Sequence, residues 1–481
     1  MMSMKIKIGN SQFACLMAIF AGKSYDGLRI RLMAVILSCL IIVSSGISSA
    51  ANFSFDGEIR TRFESLNGLN RKAYGDSSVN AKGKVEGKSG DDRMLSRIIA
   101  GFTYSQNRKV EYRLHMYDGH VWGWSLGRND FIKNRGTSDQ FVMDTDEDYF
   151  EFYDANVKIN DIFTDGLSLE VGRQRIFYGD HRIFGPGNWG NAIGWLWDAA
   201  RFTYKHHDDF LSTWYGRTKF KDPDRYSSFF DDHVFQGVGV YSHFKTSPNG
   251  AAEPFFAWKN SLYHDIAPEE NSFQYGVRLY EKNFHGINYD FTFAKRSGTV
   301  GNKSINAYAY VAKAGYCFEK IPMRPNFVIG RVFASGDSNP NDKTTGTYTR
   351  IFGSTTGEHY GRINIMSWSN LVDNQADLYF EPANRVHVKI SYHDFSLDKA
   401  QDSWEFYKYK NKPGNHYTHL GNEFDFELKY NYLKNLKFHF IYAYFRAGDF
   451  VKYNVENNNA STFFLECTYK FKKDFINPFG S

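Results

Sequence analysis

Between Val171 and Gly190 the chain reads VGRQRIFYGDHRIFGPGNWG, which gathers Arg173, Arg175 and Arg182 around a turn rich in glycine, proline and tryptophan. Guanidinium groups so placed suit an anion: the planar fork donates two parallel hydrogen bonds to a carboxylate or phosphate and stays charged at any working pH. Other chemistries fit less well. The stretch GPGNWGNAIG (185–194) lacks the Gly-Lys-Ser/Thr that a nucleotide's phosphates and magnesium require. In DSNPND, Asp337, Asn339, Asn341 and Asp342 offer oxygen ligands at calcium-like spacing. No bidentate acid closes that set, so they are weak metal candidates and a solvated loop is the simpler reading. His206 to Asp209 (HHDD) reads as polar punctuation of a tight turn. A barrel-type lipase would need a serine and a histidine facing each other at the lipid boundary, and neither His387 nor His439 has such a partner. Neither a cofactor nor an enzymatic activity is expected.

What could position these arginines is a long series of β-strands. In NEFDFELKYNY, Phe424, Phe426, Leu428, Tyr430 and Tyr432 share one face, and Glu423, Asp425, Glu427 and Lys429 the other. Near the start, Phe53, Phe55, Ile59 and Phe63 oppose Asp56, Glu58, Arg60 and Arg62. Successive side chains alternate faces in a strand, so each such segment has one apolar and one charged wall. Eighteen segments follow this pattern, from 53–64, 94–104 and 108–117 through 325–335 and 373–382 to 435–446 and 461–471. Long connections (65–93, 118–148, 177–197, 218–233, 262–271, 297–304, 336–372, 397–419, 447–460) alternate with short ones such as 207–209 and 383–384. An even strand number with this alternation predicts an all-β fold: a transmembrane antiparallel β-barrel with long extracellular loops and short periplasmic turns.

Composition agrees. Aromatic residues make up 18% of the chain while the mean hydropathy is negative, as expected when lipid-facing apolar residues alternate with polar lumen residues. Arg29 and Arg31, the apolar run Leu32–Val43 and the small residues ending at Ala50 read as a secretory signal over 1–50, with the start placed further upstream than such a signal needs. Residues 51–481 then form a single barrel domain. Five basic residues and one acid lie in 1–50, so the formal charge of +5 falls to about +1 for the remainder, and no global basic field argues for nucleic acid. Of four cysteines, Cys317 and Cys467 remain, far apart and without metal spacing, and unpaired strand residues are the simpler reading.

Eighteen strands enclose a water-filled space, so the inward residues carry the function. Strand parity places Arg60, Arg62, Arg97, Arg113, Arg201, Arg278 and Arg385 in the lumen, among acids such as Asp56, Glu58, Glu111, Asp154, Asp290, Glu423, Asp425 and Glu427. These charges either pair across strands and keep the interior wet, or leave a constriction where arginines outnumber acids and select anions.

The order of several motifs adds to this. LEVGRQRIFYGDHRIFGPGNW followed by WDAARFTYK resembles the signature of the bacterial alginate export family, carried here by Gly172, Arg173, Gln174, Tyr178, Gly179, Asp180, Arg182, Gly185, Pro186, Trp189 and Asp198. FASGD (333–337), HYGR (359–362), GNEFDFELKY (421–430) and AYFRAGDF (443–450) agree with it. The resemblance implies an eighteen-stranded outer-membrane barrel whose arginine-rich lumen passes alginate, a polyuronate with a carboxylate on every sugar. It also adds Arg173, Arg331 and Arg446 to the lumen set. Parity leaves Arg173 and Arg331 on the apolar faces of their strands, so either a bulge shifts the register there or the carry-over fails for those two. Two features depart from the family: acids are abundant in the lumen, and the longest inner turn, Lys245–Ala252, is too short for a periplasmic plug loop. Barrels of this kind commonly end on an aromatic residue, whereas KKDFINPFGS follows Phe471; either this tail is periplasmic or the last strand runs further.

The expectation is therefore passive diffusion of an anionic saccharide or carboxylate solute across the bacterial outer membrane. Outer-membrane lipid and periplasmic secretion components are the other partners. A general, weakly selective porin is the alternative, and a barrel enzyme acting on lipid or polymer the remote one.

Overall fold

A computed structural model describes residues 51–127, 130–134, 140–142, 146–187, 190–191, 193–219, 233–262, 269–353 and 358–476. The expected signal segment 1–50 and Trp189 lie outside the described residues. Eighteen antiparallel strands run in chain order: β1 Ala51–Asn67, β2 Asp91–Gln106, β3 Val110–Trp122, β4 Asp148–Ile159, β5 Leu167–Gln174, β6 Trp197–His206, β7 Asp209–Lys219, β8 His233–Lys245 and β9 Gly250–Ser261. They continue as β10 Glu270–Phe284, β11 Ile287–Val300, β12 Lys303–Cys317, β13 Asn326–Ala334, β14 Leu371–Ala383, β15 Val386–Ser396, β16 His419–Tyr430, β17 Leu436–Ala447 and β18 Ala460–Ile476. Each pairs with its sequence neighbour, and β18 returns to β1 in a register from Asn52 opposite Ile476 to Asn67 opposite Ser461, which closes the barrel. In lipid only a closed ladder satisfies every strand N–H and C=O.

Alternation decides which wall each residue joins. On β1, Arg60, Arg62 and Glu64 are buried while Ile59 and Phe63 are exposed; on β16, Glu423, Asp425 and Glu427 are buried while Phe424 is exposed. The exposed set across the strands is aromatic and aliphatic, as a lipid-facing band requires. The last strand runs five residues past Phe471, so residues 472–476 belong to the wall and not to a tail.

Long and short connections alternate from end to end, with two departures from expectation. The expected outer loop 297–304 is a two-residue turn, Gly301–Asn302, because β11 and β12 stay paired as far as Val300 and Lys303. The longest inner turn is 318–325 and not Lys245–Ala252, since β8 and β9 continue pairing to Lys245 and Ala251 and leave only 246–249 between them. A six-residue helix, α1 (Asp449–Asn454), sits in the last outer connection. Cys317 and Cys467 are both free.

Arg173 reaches a buried position through its neighbour. Glu170 is buried and Val171 exposed, so strict alternation would turn Arg173 outward; yet Arg173 is buried. Gly172 has φ +123°, and this backbone turn takes the place of the expected extra residue, since β5 pairs with β6 without a register shift. A Cβ at Gly172 would lie 2.3 Å from the carbonyl oxygen of Ala155. Replacing Gly172 with alanine is therefore expected to destabilise the barrel by about 1–3 kcal/mol, the usual range for a strained non-glycine residue. Urea unfolding followed by tryptophan fluorescence checks this through a lowered midpoint at unchanged slope.

Candidate functional site

The inward wall is a set of ion pairs. Arg62 lies between Glu64 (Nη1–Oε1 2.9 Å) and Glu466 of β18 (Nη2–Oε2 2.7 Å). Arg93 joins Glu64 to Asp146, the latter at 2.9 Å. Arg201 pairs with Glu170, and Arg278 donates to both oxygens of Asp290 (3.0 and 2.9 Å) and to Glu253 (3.2 Å). Charges this far from water persist only when paired, because an uncompensated buried ion costs several kcal/mol.

Two outer loops fold into the barrel and complete the pairing. In loop 175–196, Tyr178 stacks on Tyr241 of β8 (centroids 4.7 Å apart) and bonds Ser212 of β7 at 2.6 Å. Phe184 packs among Trp214, Tyr241 and Phe352, and the Gly185 N–H donates to the Phe352 carbonyl of the second loop at 3.1 Å. From that second loop, 335–370, Tyr348, Ile351, Tyr360, Ile363, Ile365, Met366 and Trp368 are all buried. The loop docks on the row of acids along β16. Arg362 N–H donates to Asp425 (3.1 Å), Ile363 N–H donates to Glu423 (2.8 Å), and the Arg362 side chain pairs with Glu427. Gly361, at φ +82°, makes the approach feasible, since a Cβ there would meet the Glu423 carboxylate at 2.6 Å. Above, loops 68–90, 397–418 and 448–459 interlock through Tyr407 to the Asn70 carbonyl (2.8 Å), Tyr74 to the Asn458 carbonyl (2.6 Å) and Trp404 to the Ile365 carbonyl (3.0 Å).

Beneath this plug a cavity of about 940 Å³ remains against β1–β4, Arg175 of the first loop and β15–β18. It reaches the inner rim, since Asn431 of the turn 431–435 lines it. Seven arginine and lysine side chains line it against five carboxylates. Arg60 and Arg97 converge on one roof atom, the Gly190 carbonyl of loop 175–196, at 2.6 and 3.4 Å. Arg97 also pairs with Glu58 (2.8 Å). Arg175 lies over the Tyr153 ring (4.0 Å) with Asp154 at 3.7 Å. The Nε groups of Arg97 and Arg175 are buried without a hydrogen-bond partner. Such groups hold unused capacity for an acceptor.

The ten arginines singled out from sequence divide sharply. Arg60, Arg97 and Arg113 line the cavity. Arg62, Arg201 and Arg278 face inward within the ion pairs described above. Arg173 is fixed by Asp198 (2.7 and 2.8 Å) and Glu151 (3.0 Å) and does not line the cavity. Arg331 and Arg446 are corrections: both are exposed, sharing the outward face with Phe327 and Ile329, and with Tyr442 and Tyr444. Arg385 is a third, because it lies in the inner turn 384–385 at φ +69° and donates to the Tyr432 carbonyl (3.0 Å) instead of entering the lumen. Asp337, Asn339 and Asp342 use their side-chain oxygens to accept the N–H groups of Asn339, Asn341 and Thr344, so turn formation consumes them. Among the described residues no group of three or more metal-ligating side chains is assembled. Sequence reasoning missed Arg362 as a partner of the wall, because loop-to-wall contacts leave no periodic trace, and Glu466 as the partner of Arg62, because the register of the closing seam cannot be read from either strand alone.

With the eighteen-stranded closed wall and a wide charged lumen, the molecule is an outer-membrane channel protein of the porin type. The family profile described as alginate export matches residues 52–464, and the chain belongs to that family. Among solved structures the fold is similar to OprD from Pseudomonas aeruginosa (12% identity, TM-score 0.55, covering 88% of this chain and 94% of that one). It is similar also to OpdQ (10%, 0.55, 89% and 99%) and OccK5 (13%, 0.54, 89% and 99%) of the same organism. No curated protein matches the chain in sequence.

The two folded-in loops meet at a titratable contact. His359 donates from Nε2 to the Asp180 carbonyl at 2.9 Å. Burial pushes the Asp180 carboxyl up, but Arg182 and Arg278 outweigh that and hold it well below the usual carboxylate range. Burial and then Arg182 hold His359 well below its ordinary 6.5, against the opposing pull of Asp180. A histidine with a depressed folded pKa stabilises nothing extra at neutral pH and loses stability as pH falls through 6.5, where the unfolded chain takes up the proton first. Acidification from about pH 7 to about pH 5 is expected to loosen the loop contact and raise open-channel conductance. The variant His359→Gln is expected to flatten that dependence in bilayer recordings.

Proposed function

We propose that this channel passes anionic saccharides, polyuronates or smaller carboxylates, by passive diffusion past the basic wall of the inner cavity. The observation that carries the reading is the convergence of Arg60 and Arg97 on the Gly190 carbonyl, within a cavity where cations outnumber carboxylates. A carbonyl is a neutral acceptor, whereas a carboxylate sets charge against charge and can accept from a guanidinium fork at both oxygens. A solute carboxylate therefore competes well for both guanidiniums, and the unpartnered Nε of Arg97 and of Arg175 offer further donors. Membership of the alginate export family supports a polyuronate as one such solute. The family and the porin-type neighbours in fold favour a channel over an enzyme. A general porin remains the second reading, favoured by the ion pairing of Arg62, Arg201 and Arg278 elsewhere in the lumen.

Planar-bilayer recording tests this. The wild-type protein is expected to give an anion-selective reversal potential under a salt gradient and concentration-dependent block by oligouronates. The double variant Arg60→Gln/Arg97→Gln is expected to lose the selectivity. Its block is expected to weaken roughly tenfold, the order set by losing a charge-assisted hydrogen bond of about 1.5 kcal/mol. Cation preference in the wild type, with no block by oligouronates, would sink the anion-channel reading.

A further inference from the structure

Two of the arginines that the family resemblance assigns to the lumen stand on the opposite side of the wall. Arg331 of β13 and Arg446 of β17 lie on one line of the hydrogen-bonded ladder. Arg331 is opposite Asn374 of β14, Asn374 opposite Asp394 of β15, Asp394 opposite Asn422 of β16, and Asn422 opposite Arg446. Each lies within three residues of the outer end of its strand. All five share the outward face with exposed rings such as Tyr392, Phe424 and Tyr444. At ladder spacing the line is roughly 19 Å long.

A charge on the lipid-facing wall is costly at mid-membrane and tolerable only toward the interface, where a polar partner is at hand. The protein supplies little of that partner. Among the described residues the Arg331 guanidinium reaches Asn374 alone, at a long 3.5 Å. No hydrogen bond or ion pair engages the Arg446 side chain among the described residues. The single carboxylate in the line, Asp394, is taken by His419 (3.1 Å) and Asn422 (3.0 Å). Lys295 of β11 adds another outward cation, beside Asn306 at 2.5 Å. Two guanidiniums with no carboxylate partner among the described residues, two amides and one hydrogen-bonded carboxylate make a surface with an excess of positive charge that attracts phosphate.

We propose that this outward line is a binding site for the phosphorylated head group of an outer-leaflet glycolipid. Arg331 and Arg446 take the phosphates, while the aromatic residues beneath them lie along the acyl chains. Arginine suits the role because its long stem runs along apolar surface while its fork bonds phosphate oxygens.

The test uses the full-length barrel in detergent with bis-phosphorylated lipid A as the probe, read by thermal unfolding. The wild type is expected to be stabilised saturably by this lipid, and neither by inorganic phosphate nor by lipid A stripped of phosphate. In Arg331→Gln/Arg446→Gln the apparent affinity is expected to fall about fivefold per arginine, the usual scale for a basic residue at an anionic lipid surface. Arg331→Lys/Arg446→Lys is expected to retain most of it. Both variants should show the heat-modifiable migration of a folded barrel and unaltered conductance, since neither position lines the cavity. The proposal is overturned by equal stabilisation from the dephosphorylated lipid or by unchanged affinity in the glutamine variant. Pairing of copies through this face without any lipid effect would overturn it too.

Discussion

The pairing of β1 with β18 is the constraint on which everything else depends. A strand edge in hydrocarbon would leave a row of N–H and C=O groups with no water to bond, so the sheet must close. Closure fixes one register, and the register fixes facing. With Asn52 opposite Ile476, Arg62 falls opposite Glu466 and Glu58 opposite Lys470, and both pairs form ion contacts, at 2.7 and 3.5 Å. A slip of β1 by one residue would turn Arg60 and Arg62 toward lipid and Ile59 and Phe63 into the lumen. The seam that satisfies the backbone is thus also the seam that assembles the basic side of the cavity.

The same period-2 logic explains how much was legible beforehand. Strand number and the inward set Arg60, Arg62, Arg97, Arg113, Arg201 and Arg278 follow from alternation alone, because one face had to be apolar. Arg331 and Arg446 show parity and motif order answering different questions. The motifs place the chain in its family, but the exposed neighbours Ile329 and Tyr444 decide which way those two side chains point. Arg173 is the converse case: its burial depends on the φ of Gly172, which no pattern of apolar residues encodes. The second loop of the plug was not legible. Loop 335–370 carries no repeat, and its docking on Glu423, Asp425 and Glu427 rests on two backbone N–H groups and one arginine.

That docking has an electrostatic logic of its own. The inward faces of β14 and β16 present five carboxylates, Asp373, Asp377, Glu423, Asp425 and Glu427, against fewer lysines, chiefly Lys429 of β16 and Lys389 of the intervening β15. A wall so rich in acid cannot stay buried without partners, and Arg362 with the N–H groups beside it supplies them. Across the barrel, Arg182 does the same for Asp180 and approaches Asp290 at 4.0 Å. The loops therefore cover the acidic part of the lumen and spend their arginines there. What they leave open is the part built on β1–β3, where Arg60, Arg97 and Arg113 face the cavity and, among the described residues, the loop meets Arg60 and Arg97 with the carbonyl of Gly190. A lumen whose overall charge is nearly balanced thus presents a locally basic surface, because the plug is matched to one wall and not to the other.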